Sequence, residues 1–261
     1  MSGILLFKMP IEKEFPRIPE IQDERISGAY REGQIGYCNE QGKEDFENVS
    51  RLRQELSDIE ERTGFLIGRG PILDLGCGLG SYTRQLAKVF SCSFVVGIDN
   101  DPRAIELAKS YDNPSNLQFM VGDVYHLDKY HGGVGLATVT NSLHHFDDLD
   151  GVLKQISDLL VHRGALFIDD LDRRGITEDF SEEEIEYLYD LRRRCADSEC
   201  LEALEKEGFF EPDKIGSFVY LLSMVAAYTA DEVAAALKKH GLQPKIESDV
   251  NGEYSLLAVK C

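Results

Sequence analysis

The stretch LDLGCGLG, residues 73–80, has the residue types of a ligand-binding turn. Its glycines are Gly76, Gly78 and Gly80, and the acidic Asp74 precedes them. Glycine lets a backbone bend sharply, or lets a ligand approach more closely than a Cβ would permit. The loop has no Arg or Lys, and Ser81 stands where a dinucleotide-binding fingerprint would place its third glycine. These residues favour a ligand that has an amino acid tail and no phosphate.

Two further carboxylates follow the next two predicted strands. Asp99 ends the run VVGID, where a carboxylate can accept hydrogen bonds from both hydroxyls of a ribose. Asp123, in VGDV, ends the third strand, where the carboxylate or the neighbouring backbone can meet an adenine amino group. Because ligands of parallel sheets bind at the carboxyl ends of the strands, the loop and the two acids together predict a nucleoside site.

Two adjacent histidines, His144 and His145, follow the predicted fourth strand in NSLHHF. Imidazoles titrate near neutrality, so either side chain could accept a proton from a hydroxyl nucleophile. Adjacent side chains after a strand usually diverge, so we expect at most one of them to face the pocket, and His144 is favoured over His145. A structural or capping role for both histidines is the alternative.

Three acids, Asp169, Asp170 and Asp172, follow the fifth predicted strand and could contribute to a divalent metal site. The fourth strand, however, ends on Thr140 and Asn141 rather than on an acid. We therefore expect no metal ion and interpret the three acids as caps at the start of the segment that follows.

The elements that must position these residues alternate along the chain. Strand-like runs are PILDL (71–75), SFVVGI (93–98), LQFMV (117–121), VGLATVT (134–140) and ALFID (165–169), with QPKIES and EYSLLAVK near the end. Helical patterns fill the gaps; Asp101 and Pro102 open one helix, and another is predicted to end at Gly164. The alternation predicts an α/β fold with a seven-stranded, mostly parallel sheet and helices on both faces.

The predicted domains follow from where this alternation breaks. Residues 1–65 form an N-terminal segment that ends in an amphipathic helix, which is predicted from Phe46, Val49, Leu52, Leu56 and Ile59. Residues 171–218 predict a helical lid with a capping box at Ser181 and Glu184, and the run Arg192 to Arg194 is interpreted as a solvated helix face. The core comprises residues 66–170 and 219–261 and resumes with a capping box at Thr229 and Glu232.

The composition narrows the class of partner. The chain has 261 residues, with 28 Lys and Arg against 47 Asp and Glu, and a formal net charge of -19. Such a charge repels phosphate backbones and anionic membrane surfaces, so we expect a small-molecule substrate, no nucleic acid and no membrane. Six cysteines without metal-ligand spacing favour a cytoplasmic location. A homodimer is compatible with the sequence.

Five stretches resemble the successive motifs of class I S-adenosylmethionine-dependent methyltransferases: ILDLGCGLG, VVGIDNDP, FMVGDV, VTNSLHHF and RGALFIDD. The resemblance covers about residues 66–170 and 229–261. It implies a Rossmann-like fold, S-adenosyl-L-methionine as the cofactor, and methyl transfer to a small molecule as the activity. LHHFDD also resembles the LHDW of plant-type small-molecule O-methyltransferases, whose catalytic histidine would fall on His144.

The resemblance also implies a role for single residues. Asp74, Gly76 and Gly78, with Cys77 in the same loop, would flank the methionine part, Asp99 would take the ribose, Asn100 would lie beside the adenine, Asp123 and Val124 would recognise the adenine edge, and Asn141 would line the sulfonium side. A hydroxyl acceptor needs a base, whereas a thiolate or neutral amine does not. O-methylation with a histidine base is the first choice. The alternatives are C- or N-methylation of a small metabolite, or a non-catalytic subunit that binds the same cofactor.

Overall fold

The computed structural model describes residues 28, 45, 47–58, 60, 61, 67, 70–127, 133–175, 180–194, 198–208, 211, 215–250 and 252–261. Within these ranges the chain forms one seven-stranded sheet with helices packed on both faces. The predicted α/β, Rossmann-like fold class is therefore confirmed.

The seven strands are β1 (Ile72–Leu75), β2 (Val95–Asp99), β3 (Leu117–Val121), β4 (Val134–Thr140), β5 (Leu160–Leu171), β6 (Leu242–Val250) and β7 (Glu253–Lys260). Their order across the sheet is β3-β2-β1-β4-β5-β7-β6. Strands β1 to β5 pair in parallel, and β7 is antiparallel to both β5 and β6. The strand order reverses between β1 and β4, so the loops that follow these two strands border one crevice.

Eight α-helices lie in the described part of the chain: α1 (47–58), α2 (Ser81–Val89), α3 (Pro102–Ser110), α4 (Leu149–Leu159), α5 (Glu182–Arg194), α6 (Ser198–Lys206), α7 (Ile215–Ala226) and α8 (Ala230–Lys239). The predicted caps are present: Asp101 accepts the Arg103 N–H, and Thr229 and Glu232 form a capping box at α8. Helices α5 to α7 form a helical insert between β5 and α8, and the predicted boundary after residue 218 falls inside α7.

Two apolar cores cover the two faces of the sheet. Side chains of successive strand residues point to opposite faces, so Ile72 packs with Leu86 of α2 while Leu73 packs with Ile156 of α4. Burial on both faces explains why β1, β2 and β4, in the middle of the sheet, read as continuous apolar runs. In α1 the predicted apolar residues Val49, Leu52 and Leu56 are buried, whereas Phe46 and Ile59 lie outside the described residues.

The predicted helix end at Gly164 is wrong. Helix α4 ends at Leu159, and β5 begins at once at Leu160. Arg163 takes the left-handed φ of 66°, and the register between β4 and β5 shifts nearby. A Cβ on Gly164 would lie 2.9 Å from the Val161 carbonyl oxygen, so this glycine permits a close backbone approach inside a strand.

The interpretation of the arginine run as a solvated face is also wrong in part. Arg193 has 61% of its side chain exposed, but Arg192 is only 5% exposed. Arg192 follows the buried Leu188 by four residues, so it continues the face of α5 that packs inside the helical insert.

No single helix in the described ranges has both the length and the apolar character needed to cross a bilayer. One pair, Val219–Ala226 with Ala230–Lys239, meets that criterion only when the two are taken together across a 49° bend.

Candidate functional site

The loop after β1 brings backbone to the carboxyl edge of the sheet. Gly76, Gly78 and Gly80 have φ angles of 73°, 49° and 76°, in the region that favours glycine. A Cβ on Gly76 would lie 2.6 Å from Ser142, so this position needs glycine for packing. At Gly78 no heavy atom of the described residues lies within 4 Å of the corresponding Cβ position. None of these residues covers the Gly78 backbone, so a ligand can approach it closely.

Asp99, at the end of β2, holds this loop in place. Its carboxylate accepts the Gly78 N–H at 2.7 Å and the Asp101 N–H at 2.9 Å. Each oxygen of the carboxylate thus accepts one backbone N–H, which fixes the side chain beside the glycine loop. Asp99 and the glycine loop therefore lie together, as the sequence predicts for a nucleoside site.

The Asp74 side chain lies beneath the loop. Its two carboxylate oxygens accept the hydroxyls of Thr83 and Thr138 at 2.6 and 2.7 Å, and the residue is 1% exposed. Burial raises the pKa of Asp74 to about 6, although the two threonine hydroxyls oppose the shift. Asp74 thus ties β1 to α2 and β4 and supports the glycine loop, while a direct contact with a ligand stays a prediction.

The residues predicted for the adenine lie at the ends of β2 and β3. Asn100 and Asp123 are exposed, and Val124 is buried. The Gly122 N–H donates to the Asp99 carbonyl oxygen at 2.9 Å, which brings Asp123 to the same edge of the sheet as Asp99. The Asp123 carboxylate lies 2.8 Å from the Nδ1 atom of His126. The roles of these three residues stay predictions.

A sharp turn follows β4; we call residues 141–147 the His turn. Asn141 has a φ of 47° and an exposed side chain, and residues Leu143–His145 form a single 3-10 turn. The Ser142 hydroxyl donates to the Leu75 carbonyl oxygen at 3.0 Å. The His turn therefore contacts the end of β1, next to the glycine loop.

Asp170, near the end of β5, holds both the backbone and a side chain of the His turn. Its Oδ1 atom lies 2.6 Å from His144 Nδ1, and the two side chains are 1% and 5% exposed. Its Oδ2 atom accepts the N–H groups of Ser142 at 3.1 Å and Leu143 at 2.5 Å. One buried carboxylate thus sets both the path of the turn and the orientation of the imidazole.

The protonation of this pair follows from its electrostatics. Burial alone would raise the pKa of Asp170, but the charge and hydrogen bond of His144 and the Leu171 N–H outweigh it, so the pKa lies below its ordinary value. Asp170 is therefore ionised at neutral pH and can only accept a hydrogen bond. The proton of this hydrogen bond then belongs to His144 Nδ1, so Nε2 is the ring nitrogen that can accept a proton from a substrate. The arrangement can orient an imidazole to accept a proton.

His145 packs against His144, with ring centroids 4.1 Å apart and ring planes at 40°. Burial lowers the pKa of His145 below its ordinary value, although the charge of Asp170 opposes the shift. His145 is therefore neutral at pH 7. Of the two histidines, His144 is the one whose ring bonds to the carboxylate.

The other acids of this region have structural contacts. The Ser255 hydroxyl donates to Asp169 at 2.7 Å, and Asp172 accepts the N–H groups of Arg174 at 2.9 Å and Ala230 at 3.1 Å. Asp172 therefore caps the start of the insert, as predicted, and also binds the start of α8. Among the described residues no group of three or more His, Cys, Asp and Glu side chains could hold a metal ion.

Cys77 lies in the glycine loop, with its sulfur near the Cα of Gly97. Burial, followed by the charges of Asp74 and Asp99, raises the pKa of the Cys77 thiol well above its ordinary value. The thiol therefore stays protonated and contributes packing rather than a nucleophile.

Sequence reasoning missed the role of Asp170, which it treated only as a cap or a metal ligand. A signal was present in FIDD, because consecutive strand residues face opposite sides of the sheet, so Asp169 and Asp170 must serve different sites. Thr83 and Thr138 were missed as well, since a hydroxyl that binds a buried carboxylate leaves no pattern along the chain.

Comparisons with known proteins show the family of the chain. A family model described as methyltransferase domain matches residues 69–219. The chain is 29% identical over 135 residues to the Ubiquinone biosynthesis O-methyltransferase of Escherichia coli O127:H6 (strain E2348/69 / EPEC), which covers 50% of this chain and 55% of that protein. The protein of the same name from Escherichia coli O157:H7 matches at the same identity and coverage. The chain thus spans about half the length of the curated relatives it matches.

Two solved structures share the fold over nearly the whole chain. The plantazolicin methyltransferase BpumL in complex with SAH has a TM-score of 0.61 at 14% identity, covering 91% of this chain and 94% of that one. The plantazolicin methyltransferase BamL, in complex with a triazolic desmethylPZN analog and SAH, has a TM-score of 0.57 at 15% identity, covering 92% and 99%. At such identities the likeness is one of fold.

Proposed function

The chain belongs to the methyltransferase domain family, and we propose that it transfers a methyl group from S-adenosyl-L-methionine to a hydroxyl of a small molecule, with His144 as the general base. The observation that carries the proposal is the 2.6 Å contact between His144 Nδ1 and Asp170 Oδ1 at the carboxyl edge of the sheet. The relative named as an O-methyltransferase supports a hydroxyl acceptor, and the neighbours that hold SAH support the cofactor.

The residues present fit this cofactor. The open space at Gly78 suits a methionine tail that lies against the backbone, flanked by Gly76 and Cys77. Asp99 lies beside the glycine loop at the end of β2, where its carboxylate would accept the two ribose hydroxyls. Asn100, Asp123 and Val124 would border the adenine, Asn141 would line the sulfonium side, and Asp74 would support the loop from below. When bound, S-adenosylmethionine supplies a methyl group on a positively charged sulfur.

His144 would act as the general base. Its Nε2 atom accepts the proton of the acceptor hydroxyl as the oxygen becomes a nucleophile. Asp170 holds the Nδ1 proton and stabilises the imidazolium that results, because its own charge stays buried beside the ring. Removing the hydroxyl proton in a site that excludes water makes an aligned displacement at the methyl carbon faster.

The helical insert would cover the acceptor. Helix α7 contacts the 3-10 turn that carries His144, and it also contacts the turn formed by Arg173–Gly175 at the end of β5. The face that α7 shares with α5 is apolar, with Met224, Val225 and Leu188 buried. We therefore propose that the insert is a lid over an apolar acceptor, such as a phenol, and that the protein works without nucleic acid or membrane.

Two experiments in sequence test the function. A thermal-shift screen with S-adenosylhomocysteine, across phenolic, polyketide, amino acid and amine metabolites, identifies an acceptor class by cooperative stabilisation. Turnover of that acceptor is then measured for His144→Gln and His145→Gln, with the exposed His162→Gln as the matched control.

The expected result is a kcat at least about 100-fold lower for His144→Gln, with an unchanged affinity for S-adenosylhomocysteine. His145→Gln and His162→Gln should stay within about threefold of the wild type. A full kcat for His144→Gln overturns the base. Binding of S-adenosylhomocysteine without turnover of any acceptor class favours the non-catalytic subunit instead.

A further inference from the structure

The His turn is held on its two sides by different parts of the protein. On the side that precedes His144, Asp170 accepts the N–H groups of Ser142 and Leu143, and Ser142 bonds to the end of β1. On the side that follows His145, the hydroxyl of Tyr228 donates to the Phe146 carbonyl oxygen at 2.6 Å. The same hydroxyl lies 3.3 Å from the Asp147 carbonyl oxygen.

Tyr228 stands at the root of the helical insert, in the short link between α7 and α8. Its ring is 9% exposed and packs in the core with Phe146 and Val152. Arg173 fixes the position of this link. Its two terminal nitrogens bind the carboxylate of Glu232, at 2.9 and 2.6 Å, and one of them also donates to the Ala227 carbonyl oxygen at 2.8 Å. The link that carries Tyr228 is therefore anchored to the end of β5.

The Phe146 carbonyl is two residues beyond His144, so its position limits the path of the turn that presents the imidazole. Phe146 also packs edge-on against Tyr125, at 6.5 Å between ring centroids, and Tyr125 follows the predicted adenine residues Asp123 and Val124. Its ring also lies close to Gly76, 3.7 Å from where a Cβ would stand. Phe146 thus lies between the insert, the adenine turn and the glycine loop.

We propose that Tyr228 is a positioning residue for the base: its hydroxyl fixes the far side of the His turn and makes the root of the insert part of the support for His144. This inference rests on the proposed function. Without the hydroxyl, the Phe146 carbonyl loses this hydrogen bond, and the turn can move while Asp170 still holds its first half. The imidazole then spends less time in the orientation that Asp170 imposes.

The test compares Tyr228→Phe with Tyr189→Phe. Both remove one hydroxyl from a buried tyrosine of the same region, since Tyr189 of α5 is 4% exposed, and both leave the ring in place. The first readout is the His144 Nδ1 proton, which a 2.6 Å bond to a buried carboxylate should move far downfield in the proton NMR spectrum and protect from exchange. His144→Gln assigns this signal by its loss. The second readout is kcat with the acceptor, beside the affinity for S-adenosylhomocysteine and the thermal unfolding of each variant.

For Tyr228→Phe we expect solvent exchange of the His144 proton about tenfold faster and kcat about tenfold lower, with cofactor affinity within about twofold of the wild type. Tyr189→Phe should leave the proton signal and its exchange unchanged. An exchange rate in Tyr228→Phe equal to that of the wild type overturns the inference. Faster exchange with full kcat overturns the role of Tyr228 in positioning the base. A full kcat for His144→Gln overturns the proposed function itself, so the two failures are distinguishable.

Discussion

His144 and Asp170 are 26 residues apart in sequence, and their side chains meet at 2.6 Å inside the protein. The same carboxylate accepts two successive N–H groups of the turn that carries His144. A charged acceptor with several donors is among the stronger polar contacts that a protein interior offers. Asp170 therefore acts both on the stability of the turn and on the chemistry of the ring.

Asp170→Asn tests this double role. An amide nitrogen cannot accept the hydrogen bonds that one carboxylate oxygen takes, so a buried donor loses its partner. We expect the free energy of unfolding to fall by about 2 to 4 kcal/mol, measured by urea denaturation. We expect kcat to fall at least about 100-fold, because the ring loses its preferred tautomer.

Asp158→Asn is the control for this substitution. Asp158 pairs with Lys154 on the surface of α4, and its side chain is 66% exposed. Its loss should change the free energy of unfolding by less than about 1 kcal/mol and leave kcat as it is. A stable and fully active Asp170→Asn protein would show that the buried pair has no part in either property.

Gly78→Ala separates ligand binding from backbone strain. Within the part of the chain that the structure describes, the new methyl group meets no atom within 4 Å, but the φ of 49° is unfavourable for alanine. Gly241 follows the end of α8, has a φ of 73° and likewise has no described atom within 4 Å of its Cβ position, so Gly241→Ala is a matched control. Each substitution should cost about 1 to 2 kcal/mol of stability.

Of the two substitutions, only Gly78→Ala should weaken ligand binding. We expect Gly78→Ala to weaken S-adenosylhomocysteine binding at least about tenfold, since the methyl group occupies space that the methionine tail needs. Gly241→Ala should bind as the wild type does in the same titration. Equal affinities for the two variants would place the ligand elsewhere than against Gly78.

The pH dependence of stability should reveal Asp74. Its pKa is about 6 in the folded protein, against an ordinary value of 3.8, so the folded state holds its proton more tightly than the unfolded state does. The stability that the protonated Asp74 contributes is complete below pH 3.8 and is lost as the pH rises through about 6. Asp74→Asn removes this loss, because a neutral amide can bond to both threonine hydroxyls.

We expect Asp74→Asn to be more stable than the wild type by about 1 to 3 kcal/mol at pH 8. The difference in the free energy of unfolding between the variant and the wild type should shrink toward pH 4. Urea denaturation of both proteins across this range isolates the contribution of Asp74, because all other groups are shared. A variant that is less stable at pH 8 would mean that the ionised carboxylate contributes favourably to folding.

Local signals made most of the fold predictable. The bounds of β3 and β4 agree with the apolar runs LQFMV and VGLATVT. In β4 every residue but the last is buried, as a continuous apolar run predicts, whereas β3 lies at the edge of the sheet and buries only Phe119 fully. The capping box of Thr229 and Glu232 marked the start of α8, because the residues that bind the first N–H groups of a helix are its neighbours in sequence.

Errors arose where contacts with distant parts of the chain decide the local structure or its burial. Gly164 reads as a helix cap, yet the pairing of Leu160 with Val134 turns the chain into β5 before the glycine is reached. Arg192 reads as solvated, yet the packing of α5 in the insert buries it. The residues of the predicted ligand edge could be proposed from sequence, whereas the link from His144 to Asp170 depends on which strands become neighbours.

A calorimetric titration of S-adenosylhomocysteine into the purified, folded protein and into Asp99→Ala tests the cofactor site itself. We expect one site per chain with a dissociation constant in about the micromolar range, and an affinity at least about tenfold lower for the variant, because the ribose hydroxyls lose their acceptor. A titration of the folded wild type without heat, at two temperatures, would contradict a cofactor site at this edge of the sheet.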